Sequence, residues 1–396
     1  MRVLIIHQHD PTMDSSGGIS TFINSFVKHA PPDIEPAIVG VSSDPSKHAV
    51  GQWQQPKMGE REYRFLPVLA AHPTFRSRIP LTLRLLWALW RYRSRMDIRD
   101  SLLIFHRIEP SLVFRDLGNP KVLVLHGDTR DLHHPKAEIR WGRAPWLYFW
   151  IERRLIRQMA QVCIVREKAV AFYRSRYPDL AGRISFLPTW VDEDIFAVLP
   201  EADRLASRKE LARAHRLDPA GPIVLFVGRL ERGKDPSLLL EGFRHLVGRL
   251  PQAQLVIIGG GSQESWMRAW IAKSGLGHKV FLLGPLSQPL IARWMNSADC
   301  LLLTSAYEGM PIVVLESLQC GLPVVSTDVG EIPRLIANPA CGRVVAERTP
   351  EAFQQAMADL LRQPRDPAAC QRQVAPYTAC KVLGQVYAAF RELRRE

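Results

Sequence analysis

Short apolar runs, each followed by a turn and a helical pattern, recur along this chain of 396 residues. Arg2–His7, Ile223–Gly228 and Cys300–Thr304 are too short for helices, and their continuous apolar character is typical of buried parallel strands. After the third run, Pro311 suits the start of a helix and Gly321 suits its end. This alternation of strands and helices predicts an α/β fold of doubly wound parallel sheets.

Length and composition are those of a two-domain globular protein. With 46% hydrophobic residues the chain can bury sizeable cores, which excludes wholesale disorder. The six cysteines show no paired metal-ligand spacing, and we expect them to be reduced. No signal peptide is visible, and no run approaches the roughly 20 apolar residues of a membrane span. These features predict a cytoplasmic protein.

The formal net charge of +13 is concentrated in the first half of the chain. Residues 1–190 contain 28 Lys and Arg against 17 Asp and Glu, whereas residues 191–396 contain 24 against 22. This excess of positive charge indicates an anionic partner for the first half, namely a membrane surface, a phosphorylated acceptor or a nucleic acid.

The segment Phe75–Arg99 combines seven arginines with several leucines and two tryptophans, Trp87 and Trp90. Its composition is typical of a helix that lies in a membrane interface, with Trp at headgroup depth and Arg toward anionic lipid. The alternative is an ordinary surface helix with one core-facing side and arginines that reach into solvent. A second aromatic and basic run, Trp141–Arg157, would extend this surface.

Two carboxylates, Glu308 and Glu316, stand eight positions apart around the predicted start of a helix. Parallel sheets bind ligands at the carboxyl ends of their strands. We therefore expect Glu308 and Gly309 in a turn at this edge, and Glu316 on the helix that follows. An ordinary strand, loop and helix with two solvated glutamates is the alternative.

Two further loops have features of phosphate sites. After the strand Ile223–Gly228, the planar guanidinium of Arg229 and the compact ammonium charge of Lys234 can together bind a diphosphate. The alternative is that they are two ordinary surface cations on a turn. The Lys is not followed by Ser or Thr, so this is not a Walker loop. Gly17-Gly18 would let a phosphate approach the backbone, although a tight turn also explains these glycines.

One histidine, His126, follows the predicted strand Lys121–Leu125 and so lies where ligands bind. A lone histidine is more often structural, and Asp128 is a second acid/base candidate. The acidic run Asp192-Glu193-Asp194 looks like part of a connector, and we assign no metal to it.

Taken together, these positions resemble the retaining, nucleotide-sugar-dependent glycosyltransferases of family 4. Those enzymes have the GT-B fold, in which two Rossmann-like domains face each other across a cleft. The resemblance spans nearly the whole chain and is most specific in the second half. Residues similar to the family's motifs there are Gly228-Arg229-Leu230 with Lys234, Glu308 with Glu316, Gly259-Gly260-Gly261 and Gly284-Pro285. Gly17-Gly18 and His126 match more loosely, and Gly330-Glu331 replaces a usual Gly-Gly pair.

The resemblance implies three segments. Residues 1–190 would be an acceptor-binding Rossmann-like domain with a basic, membrane-facing surface. Residues 191–373 would be the nucleotide-sugar-binding Rossmann-like domain. Residues 374–396 would be a helix that crosses back toward the N-terminal domain.

The resemblance also implies roles for individual residues. Arg229 and Lys234 would stabilise the diphosphate leaving group, and Glu308 would hold sugar hydroxyls and stabilise an oxocarbenium-like transition state. His126 would contact the donor sugar, and Glu316 would accept hydrogen bonds from the ribose. The donor-binding residues would be Gly17, Gly18, Gly228, Leu286, Gly309, Met310, Pro311 and Glu316.

The activity predicted on this basis is transfer of a hexose from a UDP- or GDP-sugar to a membrane-associated, anionic acceptor. We expect retention of configuration, no metal ion or other cofactor, and a lipid-linked saccharide of bacterial exopolysaccharide or lipopolysaccharide biosynthesis as acceptor. The protein would act on the inner face of the cytoplasmic membrane. The alternatives are a sugar-nucleotide hydrolase or epimerase of the same fold, and a nucleic-acid-binding protein. A pI of about 9.7 suits the latter, but the sequence has no nucleic-acid-binding motif.

Overall fold

A computed structural model describes residues 1–12, 17–71, 79–126 and 145–394. The chain divides into two compact units. Within the described residues, the first unit contains the chain up to residue 126, residues 145–188 and residues 380–394, and the second contains residues 189–379. Asp128, Trp141 and the first part of the Phe75–Arg99 segment lie outside the described residues.

Each unit contains one parallel β-sheet. The first sheet has the strand order β5-β2-β1-β6-β7-β8-β9, and the second has the order β12-β11-β10-β13-β14-β15. A separate antiparallel pair, β3 and β4, belongs to the first unit. The strands are β1 Arg2–Ile6, β2 Glu35–Ser42, β3 Lys57–Met58, β4 Arg61–Glu62, β5 Arg64–Ala70, β6 Ser101–Phe105, β7 Lys121–Leu125, β8 Gln161–Ile164, β9 Ile184–Phe186, β10 Ile223–Val227, β11 Gln254–Ile258, β12 Val280–Gly284, β13 Cys300–Leu303, β14 Val324–Thr327 and β15 Gly342–Val345.

Helices connect the parallel strands. They are α1 Gly18–Lys28, α2 Leu81–Tyr92, α3 Pro145–Leu155, α4 Glu167–Arg176, α5 Glu201–His215, α6 Pro236–Arg249, α7 Glu264–Lys273, α8 Gln288–Ser297, α9 Ile312–Gln319, α10 Ile332–Leu335, α11 Pro350–Leu361, α12 Pro367–Val374 and α13 Ala379–Leu393. The prediction of two doubly wound parallel α/β sheets is therefore confirmed. Within the described part of the chain, no helix has the length and apolar character needed to cross a bilayer.

The central strands are apolar because both of their faces are covered. Every residue of β6, β7, β10 and β11 is buried, as expected for strands covered on both faces. The two cores are separate clusters, one containing Leu4 and Phe105 and the other containing Phe226 and Leu302. Each sheet therefore has a rigid carboxyl edge on which loops can place functional side chains.

The last helix, α13, packs on the first unit. The Tyr387 hydroxyl donates to the backbone oxygen of Phe26 at 2.6 Å, and the rings of these residues are 5.0 Å apart. Arg391 forms an ion pair with Asp33 at 2.8 Å. These contacts assign the C-terminal helix to the first unit, although it follows the second unit in sequence.

Candidate active site

Two residues of the second unit that were predicted to take part in catalysis, Lys234 and Glu308, are in direct contact. Lys234 ends the short 3₁₀ turn that follows β10, and Glu308 lies in the loop that follows β13. Because β10 and β13 are neighbours in the sheet, their loops meet at its carboxyl edge. Nζ of Lys234 donates to Oε1 of Glu308 at 2.5 Å, and the two side chains are 23% and 14% exposed. A cation and a carboxylate thus meet at a site that a ligand can reach.

Backbone contacts hold these two loops together. The Thr304 hydroxyl donates to the backbone oxygen of Lys234 at 2.8 Å, and the N–H of Ala306 donates to the oxygen of Gly233 at 2.8 Å. A Cβ on Gly233 would lie 2.8 Å from the Tyr307 hydroxyl. A side chain at residue 233 would therefore have to displace the tip of the Tyr307 side chain, which lies where the β10 loop meets the β13 loop.

Arg348, which the sequence analysis did not single out, ties the same loops together. Its guanidinium pairs with the carboxylate of Asp235 at 2.7 Å. It also donates to the backbone oxygens of Thr304 at 3.0 Å and Ser305 at 2.7 Å. Asp235 has a left-handed backbone conformation, with a φ of 52°, which is uncommon for a residue other than glycine. The ion pair stabilises the chain where it turns from the Lys234 loop into α6.

The turn that carries Glu308 and Gly309 is supported by the loop after β14. The N–H of Glu331 donates to the Gly309 oxygen at 2.9 Å. Gly330 has a φ of +58°, and a Cβ at this position would lie 2.1 Å from the Gly309 oxygen. Glycine is therefore required at residue 330 for the Glu308 turn to keep its position.

The glycine loop after β11 packs against the start of the β10 loop. A Cβ on Gly259 would lie 1.9 Å from the oxygen of Gly228, and the N–H of Leu230 donates to the Gly260 oxygen at 2.9 Å. The N–H of Gly259 donates to the oxygen of Gly284, just before the partly buried Leu286. Gly228 and Leu286 thus lie on loops of the same edge, on either side of the glycine loop after β11.

Arg229 lies in the same loop as Lys234 but has a different environment. Its side chain is exposed, and the described residues offer its guanidinium no hydrogen bond or ion pair. In contrast, Lys234 is partly buried and paired with Glu308. Arg229 can therefore reorient toward an anion with little loss of existing contacts.

Glu316 lies on α9, which begins directly after Pro311. Met310, which precedes Pro311, is buried, and its backbone oxygen accepts a hydrogen bond from the Thr189 hydroxyl at 3.1 Å. Glu316 is 8% exposed, and burial, followed by the nearby charge of Asp192, raises the pKa of its carboxyl to about 8. The carboxyl is therefore largely protonated at neutral pH, when it can donate as well as accept a hydrogen bond.

In the first unit, the predicted site residues also lie at the carboxyl edge of the sheet. Gly17 precedes α1, and the first helical residue is Gly18. A Cβ on Gly18 would meet no atom within 4 Å, so packing does not require glycine there. His126 follows β7 and is partly buried, and its Nε2 lies 2.7 Å from Nδ1 of His106.

Other histidines lie beside His126, although the sequence alone suggested a lone histidine. Three neighbouring strands, β1, β6 and β7, are followed by His7, His106 and His126, and His9 lies two residues after His7. Burial lowers the pKa of all four rings, to about 3 for His7 and to about 4 for His126. The signal in the sequence was a histidine at the end of three separate strands, but the order of those strands in the sheet was unknown.

The sequence matches a family of known function. Residues 207–375 match the family described as glycosyl transferases group 1. The chain is 31% identical over 273 residues to alpha-D-kanosaminyltransferase of Streptomyces kanamyceticus, a match that covers 69% of each protein. It is also 31% identical to D-inositol 3-phosphate glycosyltransferase of Jonesia denitrificans, over 40% of this chain and 39% of that protein.

Solved structures of similar fold superpose over nearly the full length of the chain. Sucrose-phosphate synthase from Thermosynechococcus elongatus superposes with a TM-score of 0.80 at 19% identity, covering 99% of this chain and 98% of that one. Anabaena Alr3699/HepE in complex with UDP-glucose gives 0.70 at 16% identity, covering 99% and 100%. These identities establish a shared fold only. With the family match and the similarity to the kanosaminyltransferase, they show that this chain belongs to the group 1 glycosyl transferases and is a GT4-like glycosyltransferase of the GT-B fold.

Proposed function

We propose that this protein transfers a hexose from a UDP- or GDP-sugar to an anionic, membrane-held acceptor, with retention of configuration. The observation that carries the proposal is the contact between Lys234 and Glu308 at the carboxyl edge of the second sheet, with Arg229 in the same loop. This site combines positive charge for a diphosphate with a carboxylate that can bind sugar hydroxyls.

The chemistry follows from the charges that develop during transfer. When the glycosidic bond to the diphosphate breaks, negative charge grows on the leaving phosphate, and Lys234 and Arg229 stabilise it. Glu308 binds the sugar hydroxyls and stabilises positive charge on the sugar ring. The acceptor oxygen attacks from the face that the leaving group vacates, and the leaving phosphate takes the acceptor proton. Since two cations supply the positive charge, the proposed reaction needs no metal ion.

A nucleotide-sugar donor is also supported by proteins of the same fold. Anabaena Alr3699/HepE has been solved with UDP and with UDP-glucose, and it shares the fold over the length of this chain. In the proposed complex, Glu316 on α9 binds the ribose hydroxyls, and the loop at Leu286 contacts the base.

The membrane-held acceptor is supported by α2. This helix buries Leu85, Ala88 and Leu89. Its other face carries Leu83, Trp87 and Trp90 at a spacing of four and three residues, and these side chains are 57%, 62% and 68% exposed. Neither tryptophan is therefore buried in the core of the first unit, and both are exposed as they would be on an interfacial helix.

A second helix extends this apolar surface. On α3, Trp146 and Trp150 are 71% and 52% exposed, and the guanidinium of Arg154 lies 4.3 Å from the Trp150 ring. Both α2 and α3 contact the 3₁₀ segment Glu109–Phe114, so they lie close together on the first unit. Exposed arginines accompany the tryptophans, namely Arg91, Arg95, Arg99, Arg153 and Arg154. Tryptophan interleaved with arginine suits an anionic lipid surface, at which a lipid-linked saccharide would be presented.

The first test is a thermal denaturation screen with UDP- and GDP-sugars. A donor that binds only the native state raises the melting temperature, so one nucleotide and one sugar should stand out. The donor found is then incubated with membranes, and glycolipid and free sugar are both quantified. Transfer to lipid supports the proposal, whereas release of free sugar at the full rate without lipid would show a hydrolase.

A further inference from the structure

The histidines that follow β1, β6 and β7 form one cluster in the first unit. The register that pairs Ile6 with Phe105 places His7 beside His106, and their rings are 5.7 Å apart in an edge-to-face arrangement. The rings of His106 and His126 are 5.0 Å apart and inclined by 29°. The Phe22 ring packs edge-on against both of them, at 5.4 and 5.0 Å. Packing thus leaves these two imidazoles little rotational freedom.

The contact between His106 and His126 uses one defined nitrogen of each ring. Nδ1 of His106 lies 2.7 Å from Nε2 of His126, a hydrogen-bond distance. The described residues offer no partner to the other nitrogen of His126, Nδ1. Since His106 is 4% exposed and His126 is partly exposed, His126 is the member of the pair that a ligand can contact.

Charge supports a neutral pair. Burial lowers the pKa of both rings, and charge on His126, His7 or His9 would lower the pKa of His106 further. His9 is held separately, since its Nε2 donates to Oδ1 of Asn24 at 2.9 Å. A neutral imidazole has one donor and one acceptor nitrogen, and a hydrogen bond to one of them determines the role of the other.

We propose that His106 is a positioning residue that holds Nε2 of His126, so that Nδ1 of His126 is presented to a sugar hydroxyl bound at the carboxyl edge of the first sheet. The inference rests on the proposed function for the identity of the ligand. It goes beyond that function by assigning a role to a buried histidine 20 residues before His126 in the sequence. Residues that orient a functional histidine through its second nitrogen are well known in metal sites, and the same physical reason applies here.

Three substitutions separate positioning from packing. In His106→Asn, the amide lies where Nδ1 of the imidazole was, so the hydrogen bond to His126 can be retained. In His106→Gln the amide extends to the position of Nε2 instead, and His106→Phe keeps a ring against Phe22 but has no polar atom. We expect kcat to fall about 10- to 100-fold in the Phe and Gln variants, to recover largely in the Asn variant, and KM for the nucleotide sugar to change little. The exposed His278→Asn serves as the control.

A spectroscopic measurement tests the contact without relying on activity. In ¹⁵N-labelled protein, the Nε2 resonance of His126, assigned by its loss in His126→Gln, should shift in His106→Phe and return toward the wild-type position in His106→Asn. An unchanged resonance in His106→Phe, or equal kcat values in folded Asn, Gln and Phe variants, would overturn the proposal. Failure of the wild-type protein to transfer any hexose would instead refute the proposed function, and the spectra would still decide the positioning.

Discussion

Lys234 and Glu308 are 74 residues apart in the sequence, and their side chains form an ion pair at 2.5 Å. Each lies in a loop that follows one of two adjacent parallel strands, and Arg348 and Thr304 tie those loops together. The pair is partly exposed, so its contribution to stability is small compared with its value at a ligand site. A bound diphosphate would contact the same Lys234 ammonium group as Glu308. Binding of the phosphate and binding of the sugar would therefore be coupled.

Substitution of this pair should impair transfer far more than folding. Lys234→Ala or Glu308→Ala should each reduce kcat at least about 100-fold, the scale of losing one group that stabilises a transition state. The melting temperature should fall moderately, because each substitution leaves the partner's charge unpaired at a partly buried position, so rates are compared in the folded variants. Lys273→Ala, at an exposed position on α7, is the matched control. Wild-type rates in either folded variant would show that the pair is not part of the active site.

Glu316 should make stability depend on pH. Burial and, to a lesser extent, Asp192 raise the pKa of its carboxyl from 4.5 to about 8. The folded state therefore holds this proton more tightly than the unfolded state. The resulting stabilisation is fully present below pH 4.5 and is lost as the pH rises through about 8.

Glu316→Gln removes this dependence. The free energy of unfolding of the variant, relative to wild type, should rise by a few kcal/mol between about pH 5 and about pH 8.5. Urea denaturation across this range measures the difference, and Glu201→Gln at an exposed position corrects for loss of one surface charge. Parallel pH profiles for Glu316→Gln and wild type would contradict the prediction.

Gly330→Ala should displace the turn that carries Glu308, although residue 330 lies in a different loop. The φ of +58° costs about 1–3 kcal/mol for alanine. The added Cβ would also lie 2.1 Å from the Gly309 oxygen, so the turn must move. We expect a lower melting temperature and a loss of transfer activity. Gly277→Ala, where a Cβ meets no atom within 4 Å, should change neither, and equal behaviour of the two variants would show that the turn tolerates displacement.

The tryptophans of α2 should contribute to membrane binding but not to folding. Trp87 and Trp90 are 62% and 68% exposed, so replacing both with Ala should leave the melting temperature unchanged. Binding to vesicles of anionic phospholipid should weaken at least about tenfold, because each tryptophan loses apolar burial in the interface. Co-sedimentation measures the binding, and Trp266→Ala, 42% exposed on the second unit, is the control. Undiminished binding by the double variant would show that other residues make the membrane contact.

Local patterns made the individual strand, loop and helix units predictable from the sequence. The strands Arg2–Ile6 and Ile223–Val227 lie within predicted runs, and the helix Ile312–Gln319 lies between Pro311 and Gly321 as predicted. Apolar runs and helix-start residues are signals within a few positions of each other. Other elements were not predicted, because their local patterns are weak. The polar segment that forms α5 buries only Ser207, Leu211 and Ala212, and the edge strand β15 has two half-buried residues. Neither pattern is strong enough to indicate an element.

By itself, the sequence determined the two α/β halves and indicated candidate site residues on single loops or helices, such as Lys234, Glu308 and Glu316. Only the tertiary structure decided which loops are neighbours, since strand order in a parallel sheet is set by long crossovers and not by local pattern. It therefore placed Arg348 beside Asp235 and His106 beside His126. It also decided the burial of Glu316, and a pKa depends on that surrounding dielectric and charge rather than on the residue alone.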